Sequence, residues 1–304
     1  MNLKRLIVFA VILIMNKAYS QDNYKYDPPW NTAPASSVNF TVHRIDNVPD
    51  LFGDIVDPQL VIFFAGNQFM VMDDLIEAFK KKHPKYERIF VETLPPGILA
   101  KQIEGGSITI GNMRITHQPD VYAAGKNRID SMKNHFSRTE IYAYNKLAIM
   151  VPKGNPKSVN SILDLAKEDV RIAMPNPAWE GIGRQIVSVY NKLGGENLEN
   201  TIMKDKVGKG TTYLTKIHHR ESPMKILYEE VDAAPVWYSE VVYQKLLNHP
   251  VEMVEIPSEE NIKATYMIAE MKNAPRAQAG KDFVDFMKSD VAKNIYKKYG
   301  FETP

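Results

Sequence analysis

Three turns in this sequence place glycine, proline and hydrogen-bonding side chains just ahead of a helical pattern. They are Gly66-Asn67-Gln68, Thr93-Leu94-Pro95-Pro96-Gly97 and Asn176-Pro177-Ala178-Trp179-Glu180-Gly181. A helix start offers unpaired backbone N–H groups and the positive end of the helix dipole, so it can hold an anion without a formal counter-charge. The amides of Asn67 and Gln68 add donors and also accept. Each turn taken singly is equally a backbone solution, since glycine and asparagine serve tight turns for conformational reasons. Together they describe a binding site for a small polar or anionic guest. A further segment, Thr215-Lys216-Ile217-His218-His219-Arg220-Glu221-Ser222-Pro223, brings two histidines and an arginine together. His219 and Arg220 suit a clamp on an anionic group, with the guanidinium bidentate. The same residues also suit the solvated basic end of a helix. Neighbouring histidines on a helix diverge by about 100° and no third ligand is spaced for a shared ion, so no metal site is expected.

Catalytic patterns are missing. The sequence has no cysteine and no Gly-x-Ser-x-Gly elbow, which removes the commonest activated nucleophiles. Gly208-Lys209-Gly210-Thr211-Thr212 echoes a phosphate loop without the preceding glycine at the required distance. Glu180 and His219 form a conceivable acid–base pair, but nothing supplies a nucleophile or a cofactor site. A binding protein without a cofactor, not an enzyme, is the expectation.

The elements that must carry these turns alternate along the chain. Leu60 to Phe64 is a short apolar run bounded by Pro58 and Gly66, as in a strand buried on both faces. Val71, Leu75 and Phe79 then repeat at four-residue spacing, and Lys80-Lys81-Lys82-His83-Pro84 closes that helix with basic residues and a proline stop. The spacing predicts further strands at 88–93, 120–124, 146–151, 170–174 and 233–237, and helices at 97–103, 126–132, 181–193 and 239–247. Strands at 251–256 and 264–271 follow each other directly, and helices at 277–287 and 291–299 close the chain. This order implies an α/β protein with a mostly parallel sheet covered on both faces.

The chain has 304 residues, 44% hydrophobic and 24% charged, which suits a soluble protein with a substantial core. Lys4 and Arg5 precede an apolar run from Leu6 to Met15, followed by Ala18-Tyr19-Ser20. That run is too short for a membrane span and reads as a cleavable signal peptide, 1–20. Residues 21–57, rich in proline, asparagine and aspartate, read as an extended arm docking through Trp30, Phe40 and Leu51. Removing Lys4, Arg5 and Lys17 from a formal charge of +2 leaves a mature charge of about −1. That balance offers no broad field for nucleic acid. Export without disulfides or a lipid-accepting cysteine points to the periplasm.

Four pieces of the sequence resemble the type 2 periplasmic solute-binding proteins, above all the molybdate-binding branch of ABC-transporter receptors. Phe64-Ala65-Gly66-Asn67-Gln68 leading into Leu75-Ile76-Glu77-Ala78-Phe79 resembles that family's first strand, binding loop and helix. Gln118 to Ala124 is similar to its second conserved strand pattern. The run from Asn145 to Pro156, with Ile162 to Ala166 and Val170 to Met174, resembles its crossing strand and the start of its second lobe. Val231 to Tyr238 is similar to a further family strand. The resemblance implies two lobes joined by two crossing hinge strands: lobe 1 at 58–143 and 252–304, lobe 2 at 144–251.

A ligand is then expected in the cleft between the lobes, where strand ends and helix starts converge. The expected contacts are Asn67, Gln68, Thr93, Pro95, Gly97, Trp179, Glu180, Gly181, His219 and Arg220. The resemblance adds Trp237 and Tyr238, since the family places a tyrosine on its ligand. The family's serine pair is missing from the first two turns, and Trp179 with Glu180 gives the third an aromatic wall suited to an organic ligand. The resemblance implies a monomeric receptor that delivers a small anion or polar organic solute to an inner-membrane permease. A sensory module of the same fold, docking on a membrane kinase through the 21–57 arm, is the alternative.

Overall fold

A computed structural model describes residues 51–304, apart from 111–112, 179 and 217–220. The expected signal peptide and most of the expected arm therefore lie outside the described residues. Among the described residues no helix is long and apolar enough to cross a membrane.

The chain builds two sheets. The first has a parallel centre, β3 (Ile89–Leu94), β2 (Leu60–Ala65) and β6 (Val121–Gly125). It is extended by antiparallel neighbours on both sides. On one side lies β1 (Leu51–Gly53), paired with β3. On the other lie β13 (Ala264–Met271) and then β7 (Phe136–Asn145). A small hairpin of β4 (Ile108–Ile110) and β5 (Met113–Ile115) stands apart.

All six residues of β2 are buried, because its side chains feed two cores. Leu60, Ile62 and Phe64 pack with α1 (Met72–Lys82), α7 (Ala277–Met287) and α8 (Asp290–Lys298) on one face. There Phe79 meets Phe283 edge to face at 5.0 Å between ring centroids, a favoured geometry for aromatic pairs. Val61 and Phe63 pack on the other face with Leu99 and Ile103 of α2 (Pro96–Gly105) and Ile129 of α3 (Lys126–Ser131).

The second sheet centres on β8 (Leu147–Pro152), antiparallel to β11 (Ala234–Trp237) and β12 (Val251–Glu255). The parallel pair β9 (Ile172–Met174) and β10 (Thr212–Leu214) joins it through a parallel bridge from Ile172 to Ala233. One face is covered by α4 (Gly181–Asn200), whose Ile182, Ile186 and Tyr190 pack on Leu147, Ile149 and Met174. The other is covered by α5 (Glu221–Leu227) and α6 (Tyr238–Leu246) through Ile226 and Val241.

The chain passes from the first sheet to the second between Asn145 and Leu147, and returns between Glu255 and Ala264. These are the two crossing strands of a two-lobed α/β fold. Asn261 ties them together. Its Oδ1 accepts from Leu147 N at 3.0 Å, and its Nδ2 donates to Leu147 O at 2.8 Å. The side chain thus stands in for a strand partner at the crossing.

Three differences from the sequence expectations have physical reasons. Leu51–Gly53, expected within the arm, forms an edge strand of the first sheet; it is short, and its signal is one glycine. Gly53 has φ +91°, and a Cβ there would lie 1.9 Å from Ile89 O, so only glycine lets the strand approach β3. β7 went unassigned because polar residues occupy both faces of its first half, with Ser137 and Thr139 exposed and Arg138 and Glu140 half-buried, on a sheet edge. Finally, β12 pairs with β8 from Val251 to Glu255, so the second sheet holds the chain past the expected boundary at 252. Within β2 and β13 the expected strands stand where the spacing put them.

Candidate binding cleft

The strands of the first sheet end at helix starts. β2 runs into Gly66-Asn67, β3 into Pro95-Pro96-Gly97 and β6 into Gly125-Lys126-Asn127. Facing them is the start of α4 at Gly181. Between these lies a cavity of about 1190 Å³, lined by residues from both sheets' elements.

The first-sheet wall is fixed from beneath. Tyr122, buried in β6, donates from its hydroxyl to Pro96 O at 2.9 Å and so anchors the start of α2. Pro96 has no N–H, and the Ile98 and Leu99 amides bond back to Pro95 O, which leaves Gly97 as the forward-facing amide of that turn. Asn67 lies at the floor and donates through Nδ2 to the Tyr266 hydroxyl at 2.6 Å. Burial pushes the Tyr266 phenol above its ordinary range, so it stays a neutral donor and acceptor.

The second-sheet wall depends on one glycine. A Cβ at Gly183 would lie 2.4 Å from Pro175 O and 2.7 Å from Pro177 N. Its absence lets the 175–177 loop pack against the first turn of α4. Arg184 locks that loop by donating to Pro177 O at 2.8 Å.

Of the expected contacts, Asn67, Pro95, Gly97, Gly181 and Trp237 line this cavity together. Gln68, Thr93, Glu180 and Tyr238 do not. Gln68 and Thr93 are fully buried, turned into the first lobe. Glu180 is also fully buried, and its carboxylate accepts from the Thr215 hydroxyl and from Asn176 N, the latter at 3.3 Å. It therefore braces the turn from behind and is not part of the lining. Tyr238 starts α6, and its ring lies 4.5 Å from Lys146 Nζ. Trp179, His219 and Arg220 lie outside the described residues.

The residues that the sequence reading missed are cationic. Lys101, Lys126, Arg128, Arg184, Lys216 and Lys263 line the cavity, and among the described residues no carboxylate does. Lys126 pairs with Asp130 at 2.5 Å and Lys263 with Glu302 at 3.2 Å. The other four have no ion pair among the described residues. Scattered lysines and arginines on helices read as solvated surface in a sequence. One signal was present: Gly125-Lys126 is a fourth strand-to-helix turn, following the strand at 121–125, and the rule applied to the other three turns selects it too. A concave surface with focused positive charge raises the local concentration of anions and orients them.

Comparison with known proteins supports this architecture. The profile of the family described as "Bacterial extracellular solute-binding protein" matches residues 60–302. The molybdate-binding protein ModA of Haemophilus influenzae is 22% identical over 265 residues, covering 82% of this chain and 92% of its own. Among solved structures, the substrate-binding domain of a molybdenum ABC transporter from Clostridium difficile superposes with TM-score 0.61 and 21% identity. It covers 81% of this chain and 98% of that one. The sulfate-binding protein SubI from Mycobacterium tuberculosis superposes with TM-score 0.65 and 15% identity, over 79% and 85%. A match spanning nearly all the described residues, on a two-lobed frame with an open cavity between its sheets, settles the assignment: the chain belongs to the bacterial extracellular solute-binding proteins, and it is a binding protein rather than an enzyme.

Proposed function

We propose that this protein is the receptor of an ABC-type importer and holds a small anion, inorganic or organic, in the cavity between its two lobes. The observation that carries this reading is the lining: among the described residues it holds six cationic side chains, helix starts from both lobes and no carboxylate, in a molecule whose mature charge is about −1. Positive charge gathered in one concave place against a nearly neutral whole is what an anion receptor requires. The relatives support the partner: ModA and the Clostridium difficile protein are named for molybdate binding and molybdenum ABC transport. We place the protein in the periplasm, exported by residues 1–20, and delivering its ligand to an inner-membrane permease rather than to a sensor kinase. The lobes are proposed as the two sheets with their helices, the chain leaving the first after Asn145 and leaving the second after Glu255, with closure as a hinge motion about these crossings.

Thermal unfolding of the purified mature protein against molybdate, sulfate, phosphate and small organic anions tests this. A ligand that binds only the folded state raises the melting temperature in proportion to ln(1 + [L]/Kd). At least one anion is expected to raise it, and the rise shrinks with added sodium chloride as the cationic cleft is screened. A flat response to every anion at low salt would remove the reading.

A further inference from the structure

The cavity has two depths. The six cations described in its lining are all exposed, while Asn67, Trp237 and Tyr266 of the same lining are buried. Charge therefore gathers at the rim, above a neutral floor. The place of Tyr266 in that floor follows from the sheet. It lies on β13, two residues past Ala264, which pairs with Asn145 of β7. Tyr266 and Asn145 are thus diagonal neighbours on one face, within reach for an aromatic side chain. The ladder is bulged at this step. Tyr266 lies opposite Ala143 but Met267 opposite Ile141, which leaves Tyr142 as an extra residue on β7. Such bulges twist a strand pair locally and recur beside functional sites.

A phenol oxygen accepts hydrogen bonds and has one proton to give. At Tyr266 the accepting side is in use, since Asn67 Nδ2 donates to the hydroxyl at 2.6 Å. Asn145 stands on the other side, its Oδ1 accepting from Lys146 N and its Nδ2 donating to Ser239 Oγ, both at 2.9 Å. Burial raises the Tyr266 phenol, and the Asn67 and Asn145 amides pull against that rise as donors to its oxygen. Amides that donate to this oxygen cannot take its proton, and among the described residues no other acceptor does. We infer that the Tyr266 hydroxyl donates this proton to an oxygen of the bound anion and is a specificity-determining contact at the cavity floor. The inference rests on the anion-receptor reading of the same cavity. The exposed cations attract any anion. The hydroxyl selects one that brings an acceptor down to the floor, because a guest without it leaves a buried O–H unpaired.

Calorimetric titration of the mature protein and of its Tyr266→Phe variant with molybdate, sulfate, inorganic phosphate and succinate is the first measurement. The anion that the wild type binds tightest is expected to bind the variant about tenfold or more weaker, as for a lost hydrogen bond to a charged group. That factor should be the same at low and high sodium chloride, since the variant loses no charge. Phenylalanine also strands the amide donors, so a second protein keeps them: 3-fluorotyrosine installed at residue 266 retains the hydroxyl and makes it a stronger donor. It should bind the same anion at least as tightly as the wild type, and its fluorine resonance should shift as the anion saturates the site. Wild-type affinity in Tyr266→Phe, or a fluorine signal indifferent to saturating anion, overturns this inference and leaves the anion receptor standing. Silence of the wild type toward all four anions overturns the receptor reading and this inference with it.

Discussion

Glu92 lies in the middle of β3, fully buried, with a single hydrogen bond: Gln102 Nε2 donates to its Oε1 at 2.9 Å. Its Oε2 and Gln102 Oε1 both lack a partner among the described residues. Neutral, the carboxyl avoids leaving a buried charge with one hydrogen bond to offset it. Burial accordingly raises the carboxyl from 4.5 to about 7, against the lowering effect of the Gln102 hydrogen bond. The folded state then keeps a proton that the unfolded state has released between roughly pH 4.5 and 7. Stability from this group is full below that window, falls as pH rises through it and is level above it. Glu92→Gln preserves an amide partner and removes the titration. Urea midpoints at pH 5 and pH 8 should differ less in the variant than in the wild type, and an unchanged difference would show the carboxyl to be ionised throughout. Asp120 is also buried, but both of its oxygens are bonded. It accepts from Val61 N at 2.8 Å and Arg276 N at 2.7 Å, and it pairs with the Arg276 guanidinium at 3.3 Å. Asp120→Ala strands these donors and should cost about 3–5 kcal/mol in urea unfolding.

At the scale of elements, the start of α4 is the most demanding join. Its packing on the 175–177 loop admits no side chain at residue 183, so Gly183→Ala should destabilise the fold by about 1–3 kcal/mol through overpacking. It should also weaken anion binding, because the wall carrying Gly181 and Arg184 shifts with it. A variant with normal affinity would show that this wall plays no part in the site. The same join shows why some of the protein could be read in advance and some could not. The apolar runs of β2 and β13 and the four-residue spacing of α1 carry their own period, so those elements were legible. β7 was not, since an edge strand with polar residues on both faces, Ser137 and Thr139 on one and Arg138 and Glu140 on the other, loses its apolar alternation. In the cleft, Asn67, Gly97 and Gly181 announced themselves as turn chemistry. Glu180 announced itself too, but the hydroxyl of Thr215 that turns it inward is far along the chain, and no local pattern reveals such a partner. The cations were invisible for a related reason: a lysine on a helix looks the same whether its tip meets bulk water or a cavity.

At the scale of the molecule, two stiff lobes meet at few residues. Asn261 holds one crossing strand to the other through Leu147. Asn145 Nδ2 donates to Ser239 Oγ at 2.9 Å beside it, at the start of α6. Asn261→Ala removes bonds without touching either core, so about 1–3 kcal/mol of local order should go. Hydrogen exchange should quicken at 145–147 and 256–263 first, with the interiors of both sheets still protected. Exchange rising evenly over the second sheet would mean that the residue supports the lobe and not the hinge.

The first sheet contains both ends of this hinge as neighbours, with Asn145 of β7 directly opposite Ala264 of β13. The whole second lobe is therefore an insertion between two adjacent antiparallel strands, as if a hairpin's turn had been swapped for a folded body. Such an arrangement makes one wall of the cleft exchangeable. A different body spliced between the same two residues would meet an unchanged first sheet, and a lineage could change what it captures while the half that carries Lys101 and Arg128 stayed as it was.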